Sequence, residues 1–120
     1  MEGVEVAKAG SLAMGASTSG IIRERAFDAE GAIFAKSTVA GGTVSEWHHH
    51  ARRTLFGYVV RGRLRLEFSD GLVEVSEGDF FRVKPGRVHR DVNPDPTVPA
   101  VIVNLLVGEG EPVVNVPGPA

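Results

Sequence analysis

Apolar and polar residues alternate in short runs along most of this chain. In YVVRGRLRLEF (residues 58–68), Leu64, Leu66 and Phe68 fall on one side and Arg63, Arg65 and Glu67 on the other. That period of two marks a half-buried strand. SDG (69–71) supplies turn chemistry, and LVEV (72–75) resumes the alternation. GIIRERAF (20–27) and GAIFAKSTVAGG (31–42) are strand-like runs bounded by glycine. EGDFFRVKPGRVH (77–89) reads as turn, strand and Pro-Gly turn. VPAVIVNLLVG (98–108) is a continuous apolar run, expected as a buried strand. The tail EGEPVVNVPGPA holds three of the seven prolines and is expected to be irregular or an edge strand.

No stretch keeps a helical period for two turns. The pattern therefore predicts an all-β domain with many short strands, a sandwich or a barrel. Residues 1–20, rich in Gly, Ala and Ser, are expected as a flexible arm, with VEVA (4–7) a candidate edge strand; residues 21–120 form one domain.

Length and composition narrow the class. A 120-residue chain can hide about two-thirds of its unfolded surface, enough for a core. Thirteen Lys and Arg against fifteen Asp and Glu give no broad field for nucleic acid or acidic membranes. Arg52, Arg53, Arg61, Arg63 and Arg65 are interleaved or neighboured by Glu67, Glu74 and Glu77, the pattern of a solvated strand face. With no cysteine, disulfides and thiolate metal sites are excluded. No apolar run reaches the roughly 20 residues of a membrane span, and the N-terminus lacks a signal-peptide pattern. Cytoplasm is the expected location.

The candidate chemistry lies in EWHHHARRTLFG (46–57). His48, His49 and His50 are consecutive, and His89 is the only other histidine. On a strand, His48 and His50 share one side, about 6.6 Å apart at Cα. Two imidazoles so placed can meet on one ion at about 2.0–2.2 Å. The pair needs a third ligand from elsewhere; His89, at a turn after KPG, is the remaining candidate. Spacing alone does not place it beside the pair. Solvated surface histidines are the alternative. A tag remnant is disfavoured by the mid-chain position.

These residues resemble the two motifs of the cupin superfamily, G-x5-H-x-H-x3,4-E-x6-G and G-x5-P-x-G-x2-H-x3-N. Gly42 is followed after five residues by His48-x-His50, then by Gly62; Gly78 leads through DFFRV and Lys84 to Pro85, Gly86, His89 and Asn93. The resemblance covers about residues 30–107 and implies a double-stranded β-helix, a cupin or jelly-roll barrel. It departs in two places. Lys84 takes the motif proline's position, and Leu55 stands where the ligand glutamate belongs.

The resemblance implies one divalent transition metal per chain on His48, His50 and His89, with iron expected first and zinc, nickel or manganese as alternatives. It resembles the three-histidine sites of the cysteine and β-diketone-cleaving dioxygenases, acting on a small enolisable or anionic substrate. A non-redox isomerase or lyase and a non-catalytic binding pocket are the alternatives. Glu46 shares parity with the pair and is a candidate fourth ligand or acceptor for an imidazole N–H. Leu55, Gly57 and Val59 are expected to line a substrate pocket, Gly57 by leaving room for a close approach. Arg87 and Arg90 flank His89 and are candidates to meet an anion. Trp47 and His49 should face away. No nucleic acid or membrane partner is expected. A homodimer is, through strand exchange by GIIRERAF or the first residues.

Overall fold

A computed structural model describes residues 2–119. Eleven strands and no helix occur among them. They are β1 (Ala13–Met14), β2 (Ile21–Ala29), β3 (Ala32–Val39), β4 (Trp47–His49), β5 (Thr54–Arg61), β6 (Arg63–Phe68), β7 (Gly71–Ser76), β8 (Phe80–Val83), β9 (Arg90–Val92), β10 (Ala100–Val107) and β11 (Val114–Val116). All paired strands are antiparallel.

One sheet has the order β1-β2-β3-β10-β5-β8. The pairs β11-β4 and β7-β6-β9 are joined by bridges Val44–Val92 and His48–His89, giving an opposing layer β11-β4-β9-β6-β7. The two layers enclose Ile21, Ile33, Val39, Leu55, Val59, Leu64, Leu66, Val75, Val83, Ala100, Ile102 and Leu106. Non-consecutive neighbours such as β3-β10-β5 are what a double-stranded β-helix requires, and the all-β expectation holds.

The alternation read in residues 58–68 is met: Leu64 and Leu66 are buried and Arg63 is exposed. Gly62 divides the run into β5 and β6. Its φ is 77°, and a Cβ there would lie 2.8 Å from the Pro99 carbonyl oxygen, so a side chain would strain this turn twice over.

Two elements differ from the sequence reading. VPAVIVNLLVG is buried on one face only: Ala100, Ile102, Asn104 and Leu106 point inward, while Leu105 and Val107 are exposed. An apolar run shows which residues avoid water, but not how many layers cover them. Residues 4–7 form no strand; the edge strand is β1, paired to β2 at Ala13–Arg25 and Met14–Glu24. Thr18, at the end of the Gly/Ala/Ser-rich segment, is buried.

Candidate metal centre

His48 and His89 meet because their backbones pair. His48 N–H donates to the His89 carbonyl at 2.8 Å, and His89 N–H donates to the His48 carbonyl at 2.9 Å. His50 lies just past β4, and its ring returns to the same side as His48, as strand parity requires. The rings sit 4.5 Å (His48–His89), 5.2 Å (His50–His89) and 5.4 Å (His48–His50) apart between centroids. One ring nitrogen from each lies within 4.8 Å of the other two. All three residues are buried.

Each Nδ1 is held by a main-chain carbonyl: His48 by Glu46 at 3.0 Å, His50 by Pro112 at 2.8 Å and His89 by Arg87 at 2.8 Å. A carbonyl oxygen only accepts, so each Nδ1 carries a proton and Nε2 is the ring atom left to act as a ligand. The Nε2 atoms of His48 and His50 are buried with no hydrogen-bond partner. Burial, reinforced by neighbouring His89, pushes His48 down to about 3, and the same causes push His50 down to about 3. These two rings are therefore neutral at pH 7. Three preset lone pairs aimed into one space are a donor set suited to a divalent ion such as zinc or iron(II).

The other sequence-selected residues are distributed as follows. The Glu46 side chain is turned away, with Oε1 accepting from Ser19 Oγ at 2.5 Å and from Ser19 N at 3.2 Å; these bonds hold its carboxyl below the usual range. Its carbonyl, rather than its carboxylate, orients His48. Leu55 lines the cavity beside the histidines, whereas Gly57 and Val59 do not. The space over Gly57 is filled by the Phe81 ring, which a Cβ at residue 57 would meet at 2.3 Å. Val59 is fully buried in the core. Arg87 pairs with Asp70 at 2.5 Å and covers Phe68; Arg90 pairs with Glu67 at 2.8 Å and covers Trp47. Asn93, the last motif residue, ties loops together through the Val39 and Val98 carbonyls.

Four polar residues of the cavity were not singled out from the sequence: Arg23, Ser37, Asp91 and Asn104. The cavity has a volume of about 40 Å³, and its remaining walls are mostly aliphatic. Asp91 Oδ2 lies 3.6 Å from His48 Nε2, so a carboxylate faces a lone pair with no hydrogen between them. A cation placed there would relieve that opposition. Asn104 Nδ2 donates to Ser37 Oγ at 2.5 Å across β10 and β3. Parity held the signal for these residues: Asp91 follows His89 by two, and Arg23 follows buried Ile21 by two.

A closed antiparallel framework with three inward imidazoles defines a small double-stranded β-helix protein with a buried centre. The cupin-domain family Cupin_2 matches residues 35–108, more than half of the chain. The chain belongs to that family. Its fold is similar to an uncharacterized conserved protein with a double-stranded beta-helix domain from Klebsiella pneumoniae (TM-score 0.70, 19% identity, 83% of this chain and 87% of that one). It is also similar to the polyketide cyclase RemF from Streptomyces resistomycificus (0.77, 17%, 94% and 85%). An oxalate oxidase shares the fold as well (0.66, 23%, 81% and 55%). No curated protein matches the chain. No helix among the described residues is long and apolar enough to cross a membrane.

Proposed function

We propose that the chain is a metal-dependent enzyme of dioxygenase type, with one divalent ion, iron first, held by His48, His50 and His89, acting on a small enolisable or anionic substrate. The observation that carries this reading is the set of three imidazoles whose Nδ1–H groups are all spent on carbonyls, leaving Nε2 lone pairs in one buried space. The ion would supply Lewis acidity and, if iron, redox chemistry. The chain supplies the rest. The three carbonyls fix the imidazole tautomer and aim. Leu55, in the place of the family glutamate, adds no negative charge, so Asp91 is the carboxylate nearest the ion's place and charge is left for an anionic ligand. The Asp91 carboxylate accepts no hydrogen bond from the described residues and stands where it can take a proton from a polarised substrate O–H or C–H. Leu64, Leu66, Ile102 and Leu106 exclude water from the other walls.

A non-redox isomerase or lyase is the second reading, supported by the same Asp91 position and by the fold shared with a polyketide cyclase. A non-catalytic binding pocket is the third. Elemental analysis of untagged protein tests all three at the first step. About one metal per chain is expected. Oxygen uptake with diketones, thiols or flavonoids then supports the oxidative reading, and turnover without oxygen supports the second. Absence of any metal after expression with iron, zinc, nickel and manganese would leave only the binding pocket.

We propose further that the chain forms a homodimer, and that it acts in the cytoplasm without a nucleic-acid or membrane partner. The support for the dimer is an exposed apolar sheet face: Phe34, Phe56, Tyr58, Phe80, Leu105 and Val107 all lie outside, in neighbouring positions of β3, β10, β5 and β8. A contiguous face of this kind marks a contact surface, and the same patch on two copies can close a two-fold pair.

A further inference from the structure

A half-buried positive charge lines the cavity without a salt bridge. Arg23, on β2, lines the same space as the three histidines. Its Nη1 donates to Thr18 Oγ1 at 2.6 Å and to the Ala16 carbonyl at 3.3 Å, both uncharged. Its Nε and Nη2 donate to no acceptor among the described residues, although a guanidinium carries five N–H donors. Asp91, the one acidic residue lining the cavity, attracts the guanidinium from a distance but forms no salt bridge with it. Arg87 and Arg90, the arginines that flank His89 in sequence, do not line the cavity and are paired with Asp70 and Glu67. A guanidinium stays charged even when burial disfavours it, so this charge persists at every physiological pH.

The side chain is also held in place. Thr18 Oγ1 accepts from Arg23 and donates to Asn115 Oδ1 at 3.3 Å. Asn115 lies on β11 directly opposite His48 on β4. The arginine is thus positioned by a hydroxyl tied to the strand that pairs with the histidine strand. Mere solvation of a surface arginine needs no such support.

We infer that Arg23 is the anion-recognition group of the cavity and that the molecule taken up beside the histidines is a small organic acid, its carboxylate set against the Arg23 guanidinium. The planar fork of Nε and Nη2 matches a carboxylate in two-point contact. A monoanion suits one arginine with Asp91 nearby better than a phosphate dianion does. The aliphatic walls of Leu55, Ile102 and Leu106 suit a short apolar body behind the carboxylate. The inference rests on the proposed function for the chemistry that follows binding, though the arginine's role in binding stands apart from the metal.

The test is calorimetric titration of formate, 2-oxobutanoate and benzoate, each beside its neutral amide, into metal-loaded and chelator-treated protein. Wild type, Arg23→Met and Arg23→Lys are compared, with metal content and circular dichroism recorded for each. At least one acid should bind wild type better than its amide by about tenfold or more in both metal states. Arg23→Met should lose that preference with unchanged metal content, and Arg23→Lys should keep part of it, since it retains the charge but not the fork. If Arg23→Met does not fold, Arg23→Lys carries the test alone. An Arg23 variant that folds and binds the acids as wild type does overturns the inference. So does failure of all three acids to bind wild type below about 10 mM, or Arg23-dependent preference for inorganic phosphate. Arg23-dependent acid binding by protein that never takes up metal would support this inference and sink the metal-enzyme reading, so the two failures are distinguishable.

Discussion

The inner and outer faces of the sheet β3-β10-β5 are built from alternate residues of the same strands, yet they serve different ends. Inward lie Ala35, Ser37 and Val39, Ile102, Asn104 and Leu106, and Leu55; all line the cavity that holds the histidines. Outward lie Phe34, Phe56, Tyr58, Leu105 and Val107, each more than a third exposed. The outer face is the more aromatic of the two, and the inner one carries the polar pair Ser37–Asn104. Hydrophobicity therefore does not locate the core of this chain. The period of two separates the faces, and the second layer decides which of them is covered.

That contrast can be broken at several points. The largest effect is expected at the histidines facing the inner surface. His48→Ala combined with His89→Ala should abolish metal retention, read by elemental analysis on protein whose circular dichroism is unchanged. Phe34→Glu combined with Phe56→Glu, on the outer face, should leave metal content intact. Equal metal content in the two double variants would remove the functional distinction between the faces.

Next in size is the response of the inner face to truncation. Ile102, 2% exposed, should lose about 2–5 kcal/mol of stability on change to Ala, measured by urea unfolding. Val107→Ala, on the same strand but 39% exposed, should change stability by no more than about 0.5 kcal/mol in the monomer. A loss at Val107 as large as that at Ile102 would show that the outer face is covered within one chain.

The same Phe34→Glu, Phe56→Glu variant should halve the mass measured by light scattering if a second copy covers the outer face. An unchanged mass would refute that arrangement.

The smallest effects are graded by pH. In metal-free protein, His48 and His50 titrate near 3 when folded and near 6.5 when unfolded. The unfolded chain therefore binds their protons first as pH falls. Their contribution is fully present above about pH 6.5 and is lost progressively toward pH 3, by at most about 1.4 kcal/mol per pH unit for each ring. The metal-free melting temperature should fall over this window, and His50→Gln should flatten the slope. A melting temperature that rises on acidification would contradict the buried, neutral state of these rings. At the rim, Glu46→Gln should leave metal content unchanged, because the carboxylate is engaged by Ser19 and the carbonyl that orients His48 survives the substitution.

Much of the fold was legible along the chain. Alternation placed Leu64 and Leu66 inside, glycine and proline marked the turns, and the absence of a helical period excluded helices. His48 and His50 could be put on one side by strand parity alone. These are local properties, set by where successive Cβ atoms point, and a linear pattern records them. Residues whose roles depend on a distant neighbour were not legible. His89 stands beside His48 because two segments 41 residues apart exchange backbone hydrogen bonds. Gly57 reads as open space, yet Phe81 from β8 fills it. Glu46 has the parity of a ligand, but a turn presents Ser19 to it first. Arg23 and Asp91 look like ordinary strand charges until two layers close over them. The sequence by itself determined the period, the turns and the identity of the donor atoms, because those are written within a few residues. Only the tertiary structure decided which ring nitrogens share a centre and which arginine enters their cavity, because both depend on distances between segments that the chain order does not encode.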